Sequence, residues 1–551
     1  MQWPLKKIID SIRQYNLLEV ELQGEIGEEK ERFIIPLFPR KKKLTIWDLE
    51  RIFMHASKSP NVRAILIKIR DLEIGLGRAE AIRRGIAELR ESGKRVFIYL
   101  ESPGNLEYMI GSAAERIFIP PWSVLNLIGL KAEVTFFKEA LDKLGIEAQI
   151  RGLGEYKSAS EIFTRKTMSE PHRDMMDSII DDLYRQFVKY IAQSRGVDEE
   201  RIKSLIDLGP FLPIEALEGG LIDELVYENN LEERIGEILS FRIRKIRAEN
   251  FLRILDVKET FRRIMQKIEG NPGTIALVSD SGMIMLGESR SSGGTKMLGS
   301  QTLIRTLRAI ASDKNIKALV LRISSPGGSG VASDLIWYQL KVISEKKPVV
   351  VSMSDVAASG GYLIALGAKK IVAEAMTLTG SIGIISGKFN LKDFFTKLGV
   401  TKDMVVRGKR ALMFSSYEKF TKDEEEKLNE IIRVFYEDFI KKVADARGMD
   451  FKSAEQLARG RVWTGRQAKE IGLIDEIGGI KEAIRIAKEE IGIPEGVSPI
   501  IKFFPSPRGI YLMPLSRGFA SITRISFLRD FLQSLKRETV FALMPFWIKV
   551  K

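Results

Sequence analysis

The sequence of 551 residues is a tandem duplication. Compared with itself at a shift of 254 positions, it matches over a long stretch without gaps, and further on the match resumes at a shift of 252. A repeat of this length predicts two similar domains, each large enough to bury its own core. The matched pairs include Asn61/Asn315, Ile69/Ile323, Tyr108/Tyr362, Gly129/Gly383, Gly145/Gly399, Gly196/Gly448 and Asp223/Asp475.

The repeat divides the chain into five predicted regions. Within each repeat, short aliphatic runs such as Val349–Met353 alternate with helical patterns such as Val331–Glu345, and a helical extension follows. This alternation predicts an α/β fold with largely parallel strands. The regions are an amphipathic N-terminal helix at 1–16, a first repeat at 17–227, a helical connector at 228–273, a second repeat at 274–491 and a basic C-terminal tail at 492–551.

Composition excludes several kinds of chemistry. Cysteine is absent and only two histidines occur, which rules out disulfide scaffolds, cysteine nucleophiles and cysteine-based zinc sites. The net charge is +14, from 87 basic and 73 acidic residues, and basic runs such as Arg40–Lys43 could meet phosphate or simply be solvated. No basic motif interleaved with aromatic residues occurs, so we predict no nucleic-acid binding. We also predict no metal and no cofactor.

The two terminal segments contain the sequence features that could indicate membrane contact. No apolar run of about 18 residues occurs, so no transmembrane helix is predicted. Residues 1–16 lack the apolar block of a secretory signal, but their apolar residues recur at helical spacing beside basic ones. The tail from Phe527 to Trp547 is also apolar and basic. Either segment could pack on a domain or lie at a membrane surface.

Ser359 is the candidate nucleophile. It stands in Ala-Ala-Ser-Gly-Gly-Tyr, after the predicted strand Val349–Met353 and before a predicted helix. A serine at such a turn is held exposed, and the N–H of Gly360 would face an oxyanion at the positive end of the helix. By itself, this string is more often an ordinary tight turn.

A second glycine loop strengthens the prediction. The predicted strand Ala318–Ile323 leads into Ser-Pro-Gly-Gly, where Gly328 could supply a second oxyanion donor. The first repeat has Ile74 opposite Gly328 and Asn105 opposite Ser359, so it lacks both features. Their joint loss indicates that they belong to one site.

A serine hydroxyl needs a base, and with histidine so scarce the candidate is Lys157, in Gly-Glu-Tyr-Lys-Ser-Ala. A free lysine has a pKa of about 10.4, and burial can lower it by roughly 3 units or more. We therefore expect Lys157 in an apolar pocket with hydroxyl partners and no carboxylate nearby. Lys157 has Ala411 opposite it, so the pattern suggests one site built from both repeats.

Together, the motifs around Lys157, Ser325–Gly328 and Ala357–Tyr362 resemble the signal peptide peptidase A family, also called protease IV, in its long duplicated form. The resemblance covers most of the chain. It implies a tandem ClpP/crotonase-like fold and a serine–lysine dyad that hydrolyses peptide bonds.

Carried over by position, the resemblance makes Ser359 the nucleophile, Lys157 the general base, and Gly360 and Gly328 the oxyanion donors. It also implies that the hydroxyl of Ser381 orients the lysine amine, although on sequence alone Ser381 could equally be a turn or N-cap residue. The expected substrates are cleaved signal peptides and other short apolar or unfolded peptides.

The resemblance further implies a homotetrameric ring and membrane association. Long members of the family usually begin with a membrane anchor, which the sequence does not show, so a cytoplasmic location is also possible. Two other functions remain open at this stage. One is a crotonase-type acyl-CoA enzyme, which would use the same pair of backbone amides, and the other is a non-catalytic scaffold.

Overall fold

The structure, a computed structural model, describes residues 15–28, 44–269, 273–292, 295–504 and 540–544. These residues form two compact units. The first contains the described residues up to 131 and those from 180 to 269, and the second contains 132–179 and the described residues from 273 onward. The second repeat therefore shares its unit with a segment, 132–179, that the sequence assigns to the first repeat.

Strands and helices alternate along both repeats. Numbered along the chain, the strands are β1 (Leu17–Gly24), β2 (Ala64–Leu72), β3 (Arg95–Leu100), β4 (Arg116–Ile119), β5 (Glu147–Leu153), β6 (Glu224–Leu225), β7 (Lys245–Arg247), β8 (Thr274–Ser281), β9 (Met283–Met285), β10 (Arg290–Ser292), β11 (Thr295–Gly299), β12 (Ile316–Ser325), β13 (Gly327–Ser329), β14 (Val349–Ala358), β15 (Lys370–Ala373), β16 (Leu378–Gly380), β17 (Ile384–Asn390), β18 (Val462–Thr464), β19 (Glu476–Ile477), β20 (Ile500–Phe504) and β21 (Phe541–Leu543).

The α-helices are α1 (Ile46–Lys58), α2 (Leu76–Glu91), α3 (Asn105–Gly111), α4 (Lys138–Leu144), α5 (Glu161–Thr164), α6 (Glu170–Arg195), α7 (Glu199–Leu208), α8 (Pro213–Glu218), α9 (Leu231–Leu239), α10 (Ala248–Glu269), α11 (Ser300–Ser312), α12 (Gly330–Ser344), α13 (Gly360–Ala365), α14 (Lys392–Lys397), α15 (Lys422–Arg447), α16 (Phe451–Leu457), α17 (Gly465–Glu470) and α18 (Ile480–Glu490).

The two units contain sheets of the same order. The first unit has a parallel sheet ordered β6-β4-β3-β2-β1-β7. The second has an eight-stranded sheet in which β19, β15, β14, β12, β8 and β20 are neighbours in that order, again parallel. Central strands such as β12 are apolar and almost wholly buried, as parallel strands covered on both faces must be.

The duplication extends to single hydrogen bonds. In each unit a buried tyrosine hydroxyl donates to a backbone carbonyl of the helical extension, and an aspartate accepts from a strand N–H and pairs with an arginine. The repeat is thus confirmed at both shifts that the sequence predicts. The equivalent contacts are Tyr108–Leu221 and Tyr362–Leu473, Ile117–Asp223 and Ile371–Asp475, and Arg195–Asp223 and Arg447–Asp475.

A further, seven-stranded sheet of the second unit carries the site. Its order is β10-β11-β9-β13-β21-β17-β5. Strand β5 comes from the first repeat in sequence, yet it pairs antiparallel with β17 along its whole length. This pairing brings the segment after β5, which contains Lys157, into the unit that contains Ser359.

The predicted helical connector and basic tail also contribute strands. Within 228–273 the chain is helical over Leu231–Leu239 and Ala248–Glu269, but Lys245–Arg247 adds an edge strand to β1. Ile500–Phe504 adds an equivalent edge to β8, and Phe541–Leu543 enters the seven-stranded sheet. Such short strands are specified by the open sheet edge that receives them, which a helical or basic pattern does not reveal.

Several predictions concern residues outside the described part of the chain. These are the N-terminal helix at 1–16 apart from Tyr15 and Asn16, the basic run Arg40–Lys43, and most of the tail beyond residue 504. Among the described residues, no helix is both long enough and apolar enough to cross a bilayer.

Candidate active site

Ser359 occupies a strained turn between β14 and helix α13. Its backbone has φ 55° and ψ −113°, a conformation that non-glycine residues rarely adopt. The Ser359 N–H donates to the carbonyl of Gly380 at 2.7 Å, which anchors the turn. The sequence predicted an exposed side chain, but Ser359 is fully buried. The described C-terminal strand β21 lies beside this turn, since the Ala542 carbonyl oxygen is 3.2 Å from the position that a Cβ on Gly360 would take.

Lys157 lies just after β5 and is 4 % exposed. The pairing of β5 with β17 fixes the approach of its backbone, and Gly383 and Gly460 pack against it. A Cβ on Gly383 would stand 3.0 Å from Lys157 Cδ, and one on Gly460 would stand 2.5 Å from Lys157 Cα. Burial lowers the pKa of the Lys157 amine well below its ordinary value, and burial is the sole cause. Among the described residues, the side-chain hydrogen-bond partners of the Lys157 amine are the hydroxyls of Ser359 and Ser381, which agrees with the expected hydroxyl partners.

The structure brings Lys157, Ser359 and Ser381 together in the second unit. Lys157 Nζ lies 2.8 Å from Ser359 Oγ, 2.8 Å from the carbonyl oxygen of Ser381 and 3.0 Å from Ser381 Oγ. All three residues are buried. The contacts join positions 202 and 224 residues apart in the sequence, so only the folded unit assembles them.

The three contacts of the amine match the hydrogen-bonding capacity of a neutral lysine. A neutral amine has two N–H donors and one lone pair. The Ser381 carbonyl can only accept, so it takes one N–H, and Ser381 Oγ can take the other. The lone pair then remains for the Ser359 hydroxyl to donate into. This arrangement can remove a proton from Ser359.

The glycine strand β13 runs beside Ser359 and Gly360. Gly327 and Gly328 have φ of 100° and 150°, and a Cβ on Gly327 would stand 2.9 Å from the nitrogen of Gly360. A side chain at Gly327 would also stand 2.0 Å from the Ala542 carbonyl oxygen. Glycine is needed here because another backbone approaches closely.

The first repeat uses the corresponding positions differently. Asn105, opposite Ser359, donates from its side-chain nitrogen to the Gly129 carbonyl at 3.0 Å and accepts from the N–H groups of Ile128 and Gly129 at 3.0 and 3.2 Å. Leu127, opposite Ser381, is fully buried. The amide thus anchors the first-repeat loop around Leu127–Gly129, whose counterpart in the second repeat carries Ser381. Neither Asn105 nor Leu127 has a hydroxyl group.

Sequence reasoning missed the loop behind the lysine, which consists of residues 459–461. Tyr156 N–H donates to the Arg459 carbonyl at 2.9 Å, and Ser381 N–H donates to the Arg461 carbonyl at 2.6 Å. The loop thereby holds the segments of both Lys157 and Ser381. Its Arg-Gly-Arg sequence looks like an ordinary turn after a helix, so only the close approach of Gly460 to Lys157 distinguishes it.

Comparison with known proteins identifies the family of the chain. The profile of peptidase family S49 matches residues 88–239 and 341–493, one stretch in each repeat. The chloroplastic serine protease SPPA of Arabidopsis thaliana is 34 % identical over 495 residues, which cover 88 % of this chain and 70 % of that protein. The chain belongs to peptidase family S49. Protease 4 of Salmonella typhi is 30 % identical over 82 % of this chain and 72 % of that protein.

Protease 4 of Haemophilus influenzae is a further S49-like relative, 28 % identical over 81 % of this chain and 73 % of that protein. Among solved structures, a ClpP1 mutant from Listeria monocytogenes matches 37 % of this chain and 93 % of that one, with 19 % identity and a TM-score of 0.24. Membership of family S49 makes this chain a serine peptidase acting on peptides. It decides against the acyl-CoA enzyme and the non-catalytic scaffold.

Proposed function

We propose that this S49 peptidase cleaves peptide bonds with a dyad of Ser359 and Lys157, assembled from the two repeats. The observation that carries the proposal is the 2.8 Å contact between Lys157 Nζ and Ser359 Oγ in a buried pocket. A serine beside a base within hydrogen-bond reach is the arrangement that nucleophilic catalysis requires.

In the proposed reaction, Ser359 Oγ attacks the scissile carbonyl carbon while Lys157 Nζ accepts the hydroxyl proton. When the tetrahedral intermediate collapses, the lysine ammonium gives that proton to the leaving amine. The acyl group then remains on Ser359. Lys157 next activates a water molecule, which releases the peptide acid and restores the serine.

The low pKa of Lys157 makes this cycle possible near neutral pH. A lysine with its ordinary pKa would be protonated at pH 7 and could accept no proton. The carbonyl and hydroxyl of Ser381 are partners for a neutral amine, and no carboxylate of the described residues contributes to the pKa shift of Lys157. Ser381 is therefore proposed as the residue that orients the amine toward Ser359.

Backbone N–H groups of Gly360 and Gly328 are the proposed oxyanion donors. Gly360 is the first residue of helix α13, whose N-terminus favours negative charge, although the helix is short. Gly328 lies on β13, which runs alongside the Ser359 turn. Losing one such donor typically costs about 100- to 1,000-fold in kcat.

The proposed substrates are short apolar or unfolded peptides, including cleaved signal peptides. Substrates of this kind can bind in extended form by adding a strand to a sheet, where main-chain hydrogen bonds provide affinity. Strands β13 and β17, which flank β21 in the seven-stranded sheet, would provide edges for such a strand if it took the place of β21. We also propose membrane association, which rests on the sequence pattern of residues 1–16.

The proposed nucleophile can be tested by labelling. Incubated with a fluorophosphonate, the purified chain should gain one adduct, located on the peptide that contains Ser359. The adduct should be absent in Ser359→Ala and present in Ser112→Ala, which removes a buried serine of the first repeat. Labelling that persists in Ser359→Ala would refute the assignment.

The repeat also supports a ring-shaped homo-oligomer. Within one chain β5 pairs with β17, and the shift of 254 makes 401–407 the counterpart of β5 and 130–136 the counterpart of β17. Residues 401–407 form no described strand, and Val405 is 90 % exposed. We propose that 401–407 of one copy pairs with 130–136 of the next. Head-to-tail contacts form a ring when the rotation between successive copies closes, and a tetramer is the size implied by the resemblance.

Light scattering tests this interface. The unmodified chain should have the mass of a tetramer, and Val405→Asp should reduce it toward that of a monomer. Val197→Asp, at a valine that is 41 % exposed in the first repeat, should leave the mass unchanged. A monomeric unmodified chain, or an unchanged mass in Val405→Asp, would contradict the proposed pairing.

A further inference from the structure

A segment of the chain itself fills the gap between the two open strand edges at the site. Strand β21 lies between β13 and β17 and is antiparallel to both, with Gly328 opposite Ala542 and Ile385 opposite Phe541. Phe541, Ala542 and Leu543 are all buried. Without β21, β13 and β17 would face each other across the width of one strand.

The register places one carbonyl at the proposed oxyanion donors. Gly330 N–H donates to the Val540 carbonyl at 3.1 Å, and Met544 N–H donates to the Pro326 carbonyl at 2.8 Å. In an antiparallel pair every second residue pair exchanges hydrogen bonds, so Gly328 and Ala542 form the hydrogen-bonded pair between these two. The Ala542 carbonyl thus faces the N–H of Gly328.

The Gly360 side of the site also lies close to this carbonyl. The Ala542 oxygen is 3.2 Å from the position of a Cβ on Gly360. Both proposed oxyanion donors therefore border one carbonyl group. In a bound substrate, this is the position of the carbonyl that Ser359 would attack.

Side chains of the segment alternate between two apolar regions, as those of a strand must. Val540 and Ala542 belong to the main core of the second unit. Phe541 and Leu543 belong to a separate cluster that includes Ile150 and Phe163. The segment therefore has a small residue, Ala542, where its carbonyl borders the proposed oxyanion donors, and the large apolar residues Phe541 and Leu543 on either side of Ala542.

We propose that Val540–Met544 is an internal substrate-like strand that competes with peptide substrates for the site, with Ala542 in the position of the residue whose carbonyl is attacked. The inference rests on the proposed function, because it takes Gly328 and Gly360 as the oxyanion donors. It also gives the substrate class more exactly, as extended peptides with a small residue at that position and large apolar neighbours.

Steady-state cleavage of a short apolar peptide tests the competition. A chain ended after Thr539 should show an apparent KM about tenfold lower than that of the full chain, with kcat unchanged. The expected change in apparent KM is large because a competitor tethered to the enzyme has an effective concentration in the mM range when its linker allows it to bind. A synthetic peptide of residues 536–551, added to the shortened chain, should inhibit it competitively.

A point variant of the full chain tests the same inference even if the shortened chain misfolds. Ala542→Glu in the full chain places a charge in an apolar core and should lower the apparent KM by a similar factor. Lys551→Glu, a charge change at the last residue, serves as the control and should behave like the unmodified chain. An apparent KM unchanged within twofold in both the shortened chain and Ala542→Glu would overturn the inference.

The outcome separates this inference from the proposed function. If cleavage depends on Ser359 but its KM does not respond to the tail, only the internal competitor is refuted. If Ser359→Ala cleaves as fast as the unmodified chain, the dyad itself is wrong. If truncation lowers the KM and the added peptide restores it, the strand position of Val540–Met544 is supported directly.

Discussion

Replacing Lys157 by methionine should abolish peptide cleavage and, at the same time, stabilise the chain near neutral pH. Activity should fall by about 1,000-fold or more, because general-base catalysis contributes roughly 100- to 10,000-fold and a methionine side chain cannot accept the serine proton. Methionine fills a similar volume with an unbranched apolar side chain, so it keeps the packing against Gly383 and Gly460.

The gain in stability follows from proton linkage. In the unfolded chain the lysine has a pKa of about 10.4, whereas burial lowers the pKa of Lys157 in the folded chain. Between these two pKa values the unfolded state binds more protons, so the free energy of unfolding rises with pH. The penalty is complete below the folded pKa and disappears above the unfolded pKa, at about 1.36 kcal/mol for each unit of difference.

Urea unfolding at several pH values measures this effect. The unmodified chain should become more stable relative to Lys157→Met as the pH rises from 7 toward 10. Lys388→Met is the matched control, since Lys388 is also buried on β17 and its pKa is also lowered by burial, while its ammonium lies 4.1 Å from the centre of the Phe420 ring. That variant should keep its activity. Full activity in Lys157→Met, or lower stability than the unmodified chain at pH 7, would contradict the account.

Ser359→Gly should be inactive yet more stable than Ser359→Ala. Both variants lose the nucleophile, so cleavage should fall by at least about 10,000-fold in each. Ser359 has φ 55° and ψ −113°, which alanine tolerates poorly and glycine tolerates well. Relieving such a conformation is worth about 1 to 3 kcal/mol, and this should appear as a difference in the free energy of unfolding between the two variants.

Ser112 supplies the control for this comparison. It is the C-cap residue of α3, the first-repeat helix equivalent to α13, and has φ −57° and ψ −26°, an ordinary right-handed conformation. There the order should reverse, with Ser112→Gly less stable than Ser112→Ala by up to about 1 kcal/mol. If Ser359→Gly were also the less stable of its pair, the turn would not be strained as described.

The sequence was sufficient to predict the duplication and to single out Lys157, Ser359 and Ser381, which the structure places together. Aligning the two repeats singled out these residues, because Ser359 is aligned with Asn105 and Lys157 is aligned with Ala411. In the structure Lys157 lies within hydrogen-bond distance of Ser359 and of Ser381, the serine that the family resemblance implied. Their chemical roles remain predictions.

Other features depend on contacts that no local pattern encodes. The crossing of β5 to β17 joins residues more than 200 positions apart, and Gly460 is significant only because Lys157 lies beside it. Phe541–Leu543 are three apolar residues in a basic segment, a pattern that fits a membrane-facing segment and a core-packed segment equally well. Their strand conformation follows from pairing with β13 on one side and β17 on the other.

The most direct test of the dyad is the pH dependence of Ser359 acylation, measured with a fluorophosphonate in the unmodified chain and in Lys157→Met. If Lys157 is the base, the rate should rise with pH through a midpoint well below 10.4, the pKa of a free lysine, and this rise should disappear in Lys157→Met. A midpoint near 10.4, or the same rise in Lys157→Met, would show that Lys157 is not the base.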